Sequence, residues 1–328
     1  MKEKKGMKIL TIGNSGTYEV EGFRLVEENL VAMGHQTVLF QQDRCLEDHF
    51  LTFEVRSGRP VYYIIAGEMV YDADEFDVIW YIHPHLPKEL LEIEPPDIRP
   101  FIKKQFYSMR QGLWNIFRSK KWVNDPWNAV AAENKIWQLA VASEIGLSVP
   151  DTIITSDPER VVDFYNSHPE GIVVKLLGAS PLVGRVIYTN IVSEEYLKEI
   201  QSVKLAPAIF QLMLRKNYEL RITVVGNEMF PAKIYSQEDP RTTVDWRTRP
   251  EVNDFNVKME QTVLPKFVGE QIKELMGRLG LRYGCIDMAV TPEGNYYFLE
   301  INPSGQWYFV QLKTGARIAE ALAKLLVE

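Results

Sequence analysis

Two apolar runs, residues 283–290 and 296–301, flank the turn-forming stretch Thr291-Pro292-Glu293-Gly294-Asn295 and read as an antiparallel hairpin. Inside them stand Asp287 and Glu300. A turn centred on Glu293 and Gly294 sets these two acids directly opposite each other. Opposed side chains in such a pair lie about 5 Å apart at Cβ, and like charges there are destabilising. Asn302 follows Glu300 by two residues, so strand alternation puts it on the same face. A solvent-exposed hairpin with scattered polar residues fits poorly with the Ile, Met, Leu and Phe between them. Three converging oxygen donors with incomplete protein coordination are the pattern of Mg²⁺ held together with substrate phosphates. Asp287, Glu300 and Asn302 are therefore the candidate metal ligands.

Cations that suit an anionic ligand occur earlier in the chain. Lys175 interrupts the apolar run 171–177, where a buried ammonium is costly unless it meets a charge. Lys135 stands near the start of a helix expected over 133–145. Glu219 and Arg221 share one face of a strand expected over 218–225. The polar stretch around Asp245-Trp246-Arg247 also holds Arg241 and Arg249, and a guanidinium there can grip phosphate bidentately. The lysine-free alternatives are weaker. Gly13-Asn14-Ser15-Gly16 lacks dinucleotide-loop spacing and reads as an ordinary βα turn, and His83-Pro84-His85 has no third metal ligand in sight.

The rest of the chain reads as α/β followed by α+β. Residues 8–12, a helix ended by Gly34, and residues 36–40 make a βαβ opening. A hairpin over 49–55 and 61–66 is expected to extend that sheet, with another strand at 77–82. After Pro95-Pro96 a helix is expected over 98–119. From residue 98 to 124 there is no acid, while Arg99, Lys103, Lys104, Arg110, Arg118, Lys120 and Lys121 alternate with aromatic residues. This is either a solvated basic face or a dock for an acidic partner. Asn124-Asp125-Pro126 marks a junction. Strands are expected at 171–177, 183–189, 208–214, 218–225 and 229–235. Helical spacing of Ile272, Leu275, Met276 and Leu279, and of Ile318, Ala321, Leu322 and Leu325, gives two helices packed on the last sheet.

With 37 Lys and Arg against 44 Asp and Glu, the net charge of −7 disfavours nucleic acid as a partner. The two cysteines, Cys45 and Cys285, support neither a disulfide framework nor a zinc site. No stretch reads as a signal peptide or a membrane span, so no membrane partner and a cytoplasmic location are expected.

In this order, the residues resemble the ATP-grasp superfamily over essentially the whole chain. More narrowly, Asn124-Asp125-Pro126, Ala132-Glu133-Asn134-Lys135, Gln138-Leu139, Gly146-Leu147, Val149-Pro150, Asp245-Trp246-Arg247 and residues 300–307 look like the maturases of microviridin-type peptides, which are graspetide macrocyclases. The resemblance implies an ATP-grasp fold with an N-terminal pre-ATP-grasp α/β domain (1–123), a central subdomain (124–209) and a C-terminal antiparallel-sheet subdomain (210–328). It implies ATP and Mg²⁺ as cofactors. Lys135 and Lys175 would hold the phosphates, Gln211, Leu212, Met213 and Leu214 would form the hinge against adenine, and Glu219 would meet the ribose. Arg247 and Arg221 would face the transferred phosphoryl group. Glu194, Glu195 and Lys198 fall where such maturases contact a leader peptide, and a homodimer is plausible from the family. Gln41-Gln42-Asp43-Arg44-Cys45 and Trp80-Tyr81-Ile82-His83 depart from the microviridin pattern and point to a different graspetide class, such as the plesiocin-like group.

The implied activity is ATP-dependent macrocyclisation of a ribosomally made precursor, leader plus acidic core. A Glu or Asp side chain becomes an acyl phosphate, and a Ser or Thr hydroxyl (ester) or a Lys amine (amide) displaces phosphate. The rivals are an ATP-grasp amino-acid ligase of the glutamate-ligase type and a non-catalytic nucleotide-binding regulator.

Overall fold

The computed structural model describes residues 6–82, 84–178, 188–247 and 257–328. Strand β1 (Lys8–Gly13), helix α1 (Thr17–Ala32) and strand β2 (Gln36–Gln41) form the βαβ opening, with β1 and β2 parallel. The next three strands, β3 (His49–Arg56), β4 (Arg59–Ala66) and β5 (Met69–Asp72), do not extend that sheet as expected. They make an antiparallel sheet of their own. Alternation explains the difference: Tyr62 and Ile64 of β4 point one way into a core with Leu10, Ile12, Val38 and Phe40. Burying that apolar face requires stacking over the first sheet rather than bonding at its edge. The short, half-polar β5 carries too little pattern to be read in advance.

Strand β6 (Val78–Tyr81), helix α2 (Ile98–Ile116) and strand β7 (Lys121–Val123) complete a parallel sheet of order β2-β1-β6-β7. Next come α3 (Pro126–Ala132) and α4 (Lys135–Glu144). The first of these was hidden in what reads as a junction: Asp125 accepts from the Trp127 and Asn128 N–H groups, and Pro126 opens the helix. The second starts two residues later than expected because Asn134 is its N-cap, accepting from the Trp137 N–H.

Strand β8 (Thr152–Thr155), helix α5 (Pro158–Asn166), strands β9 (Ile172–Lys175) and β10 (Asn190–Ile191), helix α6 (Glu194–Lys198) and strand β11 (Ala208–Leu212) follow. Their antiparallel sheet has the order β10-β9-β11-β8. Residues 183–187 of the strand expected at 183–189 lie outside the described residues.

The last sheet has five antiparallel strands in the order β14-β13-β12-β15-β16. They are β12 (Tyr218–Val225), β13 (Glu228–Ile234), β14 (Met259–Gln261), β15 (Tyr283–Val290) and β16 (Tyr296–Asn302), with α7 (Lys266–Arg278) between β14 and β15, and α8 (Tyr308–Thr314) and α9 (Ile318–Val327) after β16. The two expected helices pack on opposite faces. Ile272, Leu275 and Met276 of α7 cover Leu220, Ile222, Ile286 and Met288, whereas Ile318 and Leu322 of α9 join Val225, Tyr283, Cys285 and the Val26 and Leu30 side chains of α1. The second face is only partly covered. Its remaining residues, Glu219, Asp287, Ala289 and Glu300, line a cleft.

Candidate active site

The cleft has a volume of about 1010 Å³ and lies between the sheet containing β9 and β11 and the sheet containing β12, β15 and β16. Its floor is the hairpin singled out above. Asp287 does stand opposite Glu300, but not through the symmetric hairpin expected. Near the turn the register is offset by one residue, with Val290 against Tyr296 and Met288 against Phe298, and a bulge at Leu299 restores it. A bulge turns two consecutive residues toward one side. Leu299 and Glu300 both line the cleft.

Each acid on this floor has a cation. Glu300 accepts a 2.8 Å ion pair from Lys135 Nζ and lies 3.6 Å from Arg247 NH1. Burial pushes its carboxyl upward, but Lys135 and Arg247 prevail and hold it at about 2. Asp287 receives both of its short bonds, 3.0 and 3.1 Å, from NH1 of Arg221, its neighbour across β12. Burial nevertheless raises Asp287 above the usual carboxylate range, and the nearby Glu300 charge adds to this. Arg221 is buried, and its NH2 also donates to the Gln306 carbonyl. Gly305 permits that approach, since a Cβ there would come within 2.8 Å of the Arg221 guanidinium.

Two further features fix the pair of Lys135 and Glu300. Gln138, one turn along α4, donates to the Ala132 and Ile301 carbonyls and accepts from the Ile301 N–H. It fastens the helix carrying Lys135 to the strand carrying Glu300. Asn124 makes four bonds to the main chain: two to the Tyr283 and Pro303 carbonyls and two from the Arg282 and Tyr283 N–H groups. It ties both strands of the hairpin together below the acids.

The opposite wall supplies Lys175, whose Nζ donates to Gln211 Oε1 at 2.7 Å. Burial, with Lys135 and Lys216 adding to it against the pull of Glu300, lowers its pKa to about 8. The Gln211 side chain is thus engaged with Lys175, while Leu212, Met213 and Leu214 line the cleft beside it. Glu219 is buried and pairs with Lys216 at 2.8 Å, and Lys216 also donates to the Val244 carbonyl. Lys216 was not singled out by any motif; its spacing of three from Glu219 was the available signal.

Arg247 is gripped by Asp245 through Nε and NH2, both at 2.8 Å, and through its own N–H at 3.1 Å. Against burial, these bonds and the guanidinium charge bring the Asp245 carboxyl down to about 2. Arg249 of the same loop lies outside the described residues, and Arg241 pairs with Asp239.

Asn302 stands across from Cys285, exposed, with its Oδ1 accepting from the Ser304 N–H; it is not among the residues that line the cleft. Among the described residues, no group of three or more His, Cys, Asp or Glu is placed to hold a metal by itself. The half-buried carboxylates of Asp287 and Glu300, with the Asn302 amide oxygen at the end of β16, are a hard but incomplete donor set, which fits Mg²⁺ that takes its other ligands from phosphate and water. Glu194, Glu195 and Lys198 are exposed on α6, away from the cleft lining. His83 lies outside the described residues, and His85 donates its N–H to Asn14.

No family model matches the sequence. Among solved structures, the fold is similar to macrocyclase MdnC of Microcystis aeruginosa bound to its precursor peptide MdnA, at a TM-score of 0.83 and 29% identity over 98% of this chain and 99% of that one. It is similar also to a ribosomal-peptide-associated ATP-grasp ligase of Chryseobacterium gregarium, in complex with ADP and a leader and core peptide, at 0.82 and 27% over 98% and 96%. Over nearly its whole length the chain is thus similar to ATP-grasp maturases of ribosomally made peptides. A curated relative, the α-aminoadipate–LysW ligase LysX of Sulfurisphaera tokodaii, is 24% identical over 194 residues, which is 56% of this chain and 64% of that protein. No helix among the described residues is long and apolar enough to cross a membrane.

Proposed function

We propose that this protein is an ATP-dependent macrocyclase of a ribosomally made precursor peptide. One observation carries the reading: Lys135, Lys175 and Arg247 converge on Asp287 and Glu300 in a cleft between two sheets, and the neighbours that share the fold include ligases holding nucleotide and precursor peptide. Lys135 and Lys175 bind the phosphates, with Leu212, Met213 and Leu214 against the base and Glu219 at the ribose. Asp287, Glu300 and Asn302 would hold Mg²⁺, which supplies charge neutralisation along the triphosphate.

The chain's own residues then act by position and charge. Arg247, held rigid by Asp245, faces the transferred γ-phosphoryl group. Arg221 pairs with the Asp287 carboxyl through NH1 and holds it in place. A peptide carboxylate oxygen bonds to the γ-phosphorus as the bond to ADP breaks. A hydroxyl or amine of the same peptide then bonds to the acyl carbon, phosphate leaves, and the nucleophile's proton passes to solvent. Each ring costs the peptide one water. Half-buried Lys103 and exposed Lys104 would attract an acidic core, α6 would meet the leader, and the reaction would take place in the cytoplasm with the ribosomal product.

The test is incubation with ATP, Mg²⁺ and an acid-rich precursor, read by mass spectrometry as loss of one water per ring. An intact precursor alongside ligation of a free amino acid would instead favour the LysX-like reading that the curated relative suggests.

A further inference from the structure

Lys175 is a half-buried cation of the cleft wall, and the group that aims it is itself aimed by a second residue. Gln211 of β11 lies directly across from Thr152 of β8 on one side and from Val173 of β9 on the other. Its Oε1 accepts from Lys175 Nζ at 2.7 Å, and its Nε2 donates to Thr152 Oγ1 at 2.9 Å. The Thr152 hydroxyl donates in turn to the Pro150 carbonyl at 2.6 Å.

The polarity of this chain is fixed at its far end. A carbonyl can only accept, so the one hydroxyl proton of Thr152 is committed to Pro150, and its oxygen can only accept from the next group. Gln211 must therefore turn its NH₂ toward Thr152, which leaves its oxygen, and never its NH₂, facing the ammonium. A flipped amide would set two donors against each other beside a buried charge, where an unmet donor is costly.

We propose that Thr152 and Gln211 form a positioning pair that holds Lys175 in register for the nucleotide phosphates; this rests on the ATP reading above. Neither residue need touch the phosphates. Thr152 is signalled by no motif, because its role appears only when β8, β11 and β9 lie side by side.

The test uses the full chain and Mg²⁺ with the non-hydrolysable analogue AMPPNP, titrated calorimetrically. Thr152→Val keeps the side-chain shape and removes the hydroxyl, and it should weaken binding about tenfold. Thr152→Ser restores the hydroxyl and should return affinity to within about twofold of the parent. In a Lys175→Met background, Thr152→Val should cause no further loss, since the pair acts through that lysine. Equal weakening by Val and Ser, or an undiminished effect of Thr152→Val without Lys175, would overturn the proposal. If the parent chain binds no AMPPNP, the ATP reading fails by itself. The pair is then judged in the ligand-free chain from the Gln211 side-chain amide signals in ¹⁵N NMR: protected exchange that is lost in Thr152→Val supports it, and signals unchanged by the substitution refute it.

Discussion

Replacing Asp245 by Asn tests whether Arg247 works because it is charged or because it is held. The carboxylate is 4% exposed and makes two 2.8 Å bonds to the guanidinium and a third to the Arg247 N–H. Asparagine keeps one acceptor, removes the negative charge, and presents an NH₂ where the second guanidinium bond had been. Charge-assisted bonds of this kind contribute about 1.5–3 kcal/mol. The Arg247 side chain is 47% exposed, so solvent screening puts the loss at the lower end, about 1–2 kcal/mol. The freed guanidinium has Glu300 as its alternative partner, 3.6 Å away. It would swing toward the floor of the cleft and off the phosphoryl position. A loss of that size, expressed at the transition state, lowers kcat about 5- to 30-fold. The assay is the initial rate of peptide dehydration by mass spectrometry at saturating ATP, with AMPPNP affinity measured in parallel. Parent-like kcat in Asp245→Asn, or a fall matched by an equal loss of AMPPNP affinity, would refute the idea that Asp245 acts by fixing Arg247 for the transfer step.

Five more outcomes follow from the same geometry. Glu300→Gln should abolish dehydration while leaving the precursor bound, as monitored by mass spectrometry and a peptide-binding titration; undiminished dehydration would remove Glu300 from the metal set. Lys175 has a pKa near 8 in the free cleft, so its ammonium is lost as pH rises through that value, and AMPPNP affinity should fall above pH 8. Lys175→Arg, always charged, should lack that limb. The Asp245 carboxyl is depressed to about 2, below its unfolded value; its stabilisation is therefore complete above the unfolded pKa and is lost as pH falls from about 4 toward 2, so acid unfolding should shift less in Asp245→Asn than in the parent. Asn124→Ala leaves four main-chain groups, three of them in buried bonds, without their partners and should destabilise by roughly 3–4 kcal/mol in urea unfolding. Reversing Lys103 and Lys104 to Glu should slow peptide modification at unchanged AMPPNP affinity; Arg110 is left alone because it bonds the Pro84 carbonyl and stacks on Tyr107 and Trp114.

Local periodicity and charge made part of this protein legible in advance. The opposition of Asp287 and Glu300, the lysine inside an apolar strand, and the basic run on α2 are all patterns within a few residues of one another, and such patterns report which face of an element a side chain takes. The bulge at Leu299, by contrast, has no local marker: it exists because the turn and the two acids demand registers that differ by one residue. The three-stranded sheet of β3, β4 and β5 likewise follows from where a buried face finds its partner.

What the sequence alone determined was the chemical inventory and its order along the chain: cations from Lys135 to Arg247, then the acids of the last hairpin. Only the tertiary structure decided who holds whom. Asn124 reaches Tyr283 and Pro303, Gln138 reaches Ile301, and Thr152 orients Gln211 for Lys175, over separations of 36 to 179 residues. A hydrogen bond is specific in distance and direction, and for groups so far apart in sequence those are fixed only when the sheets have packed.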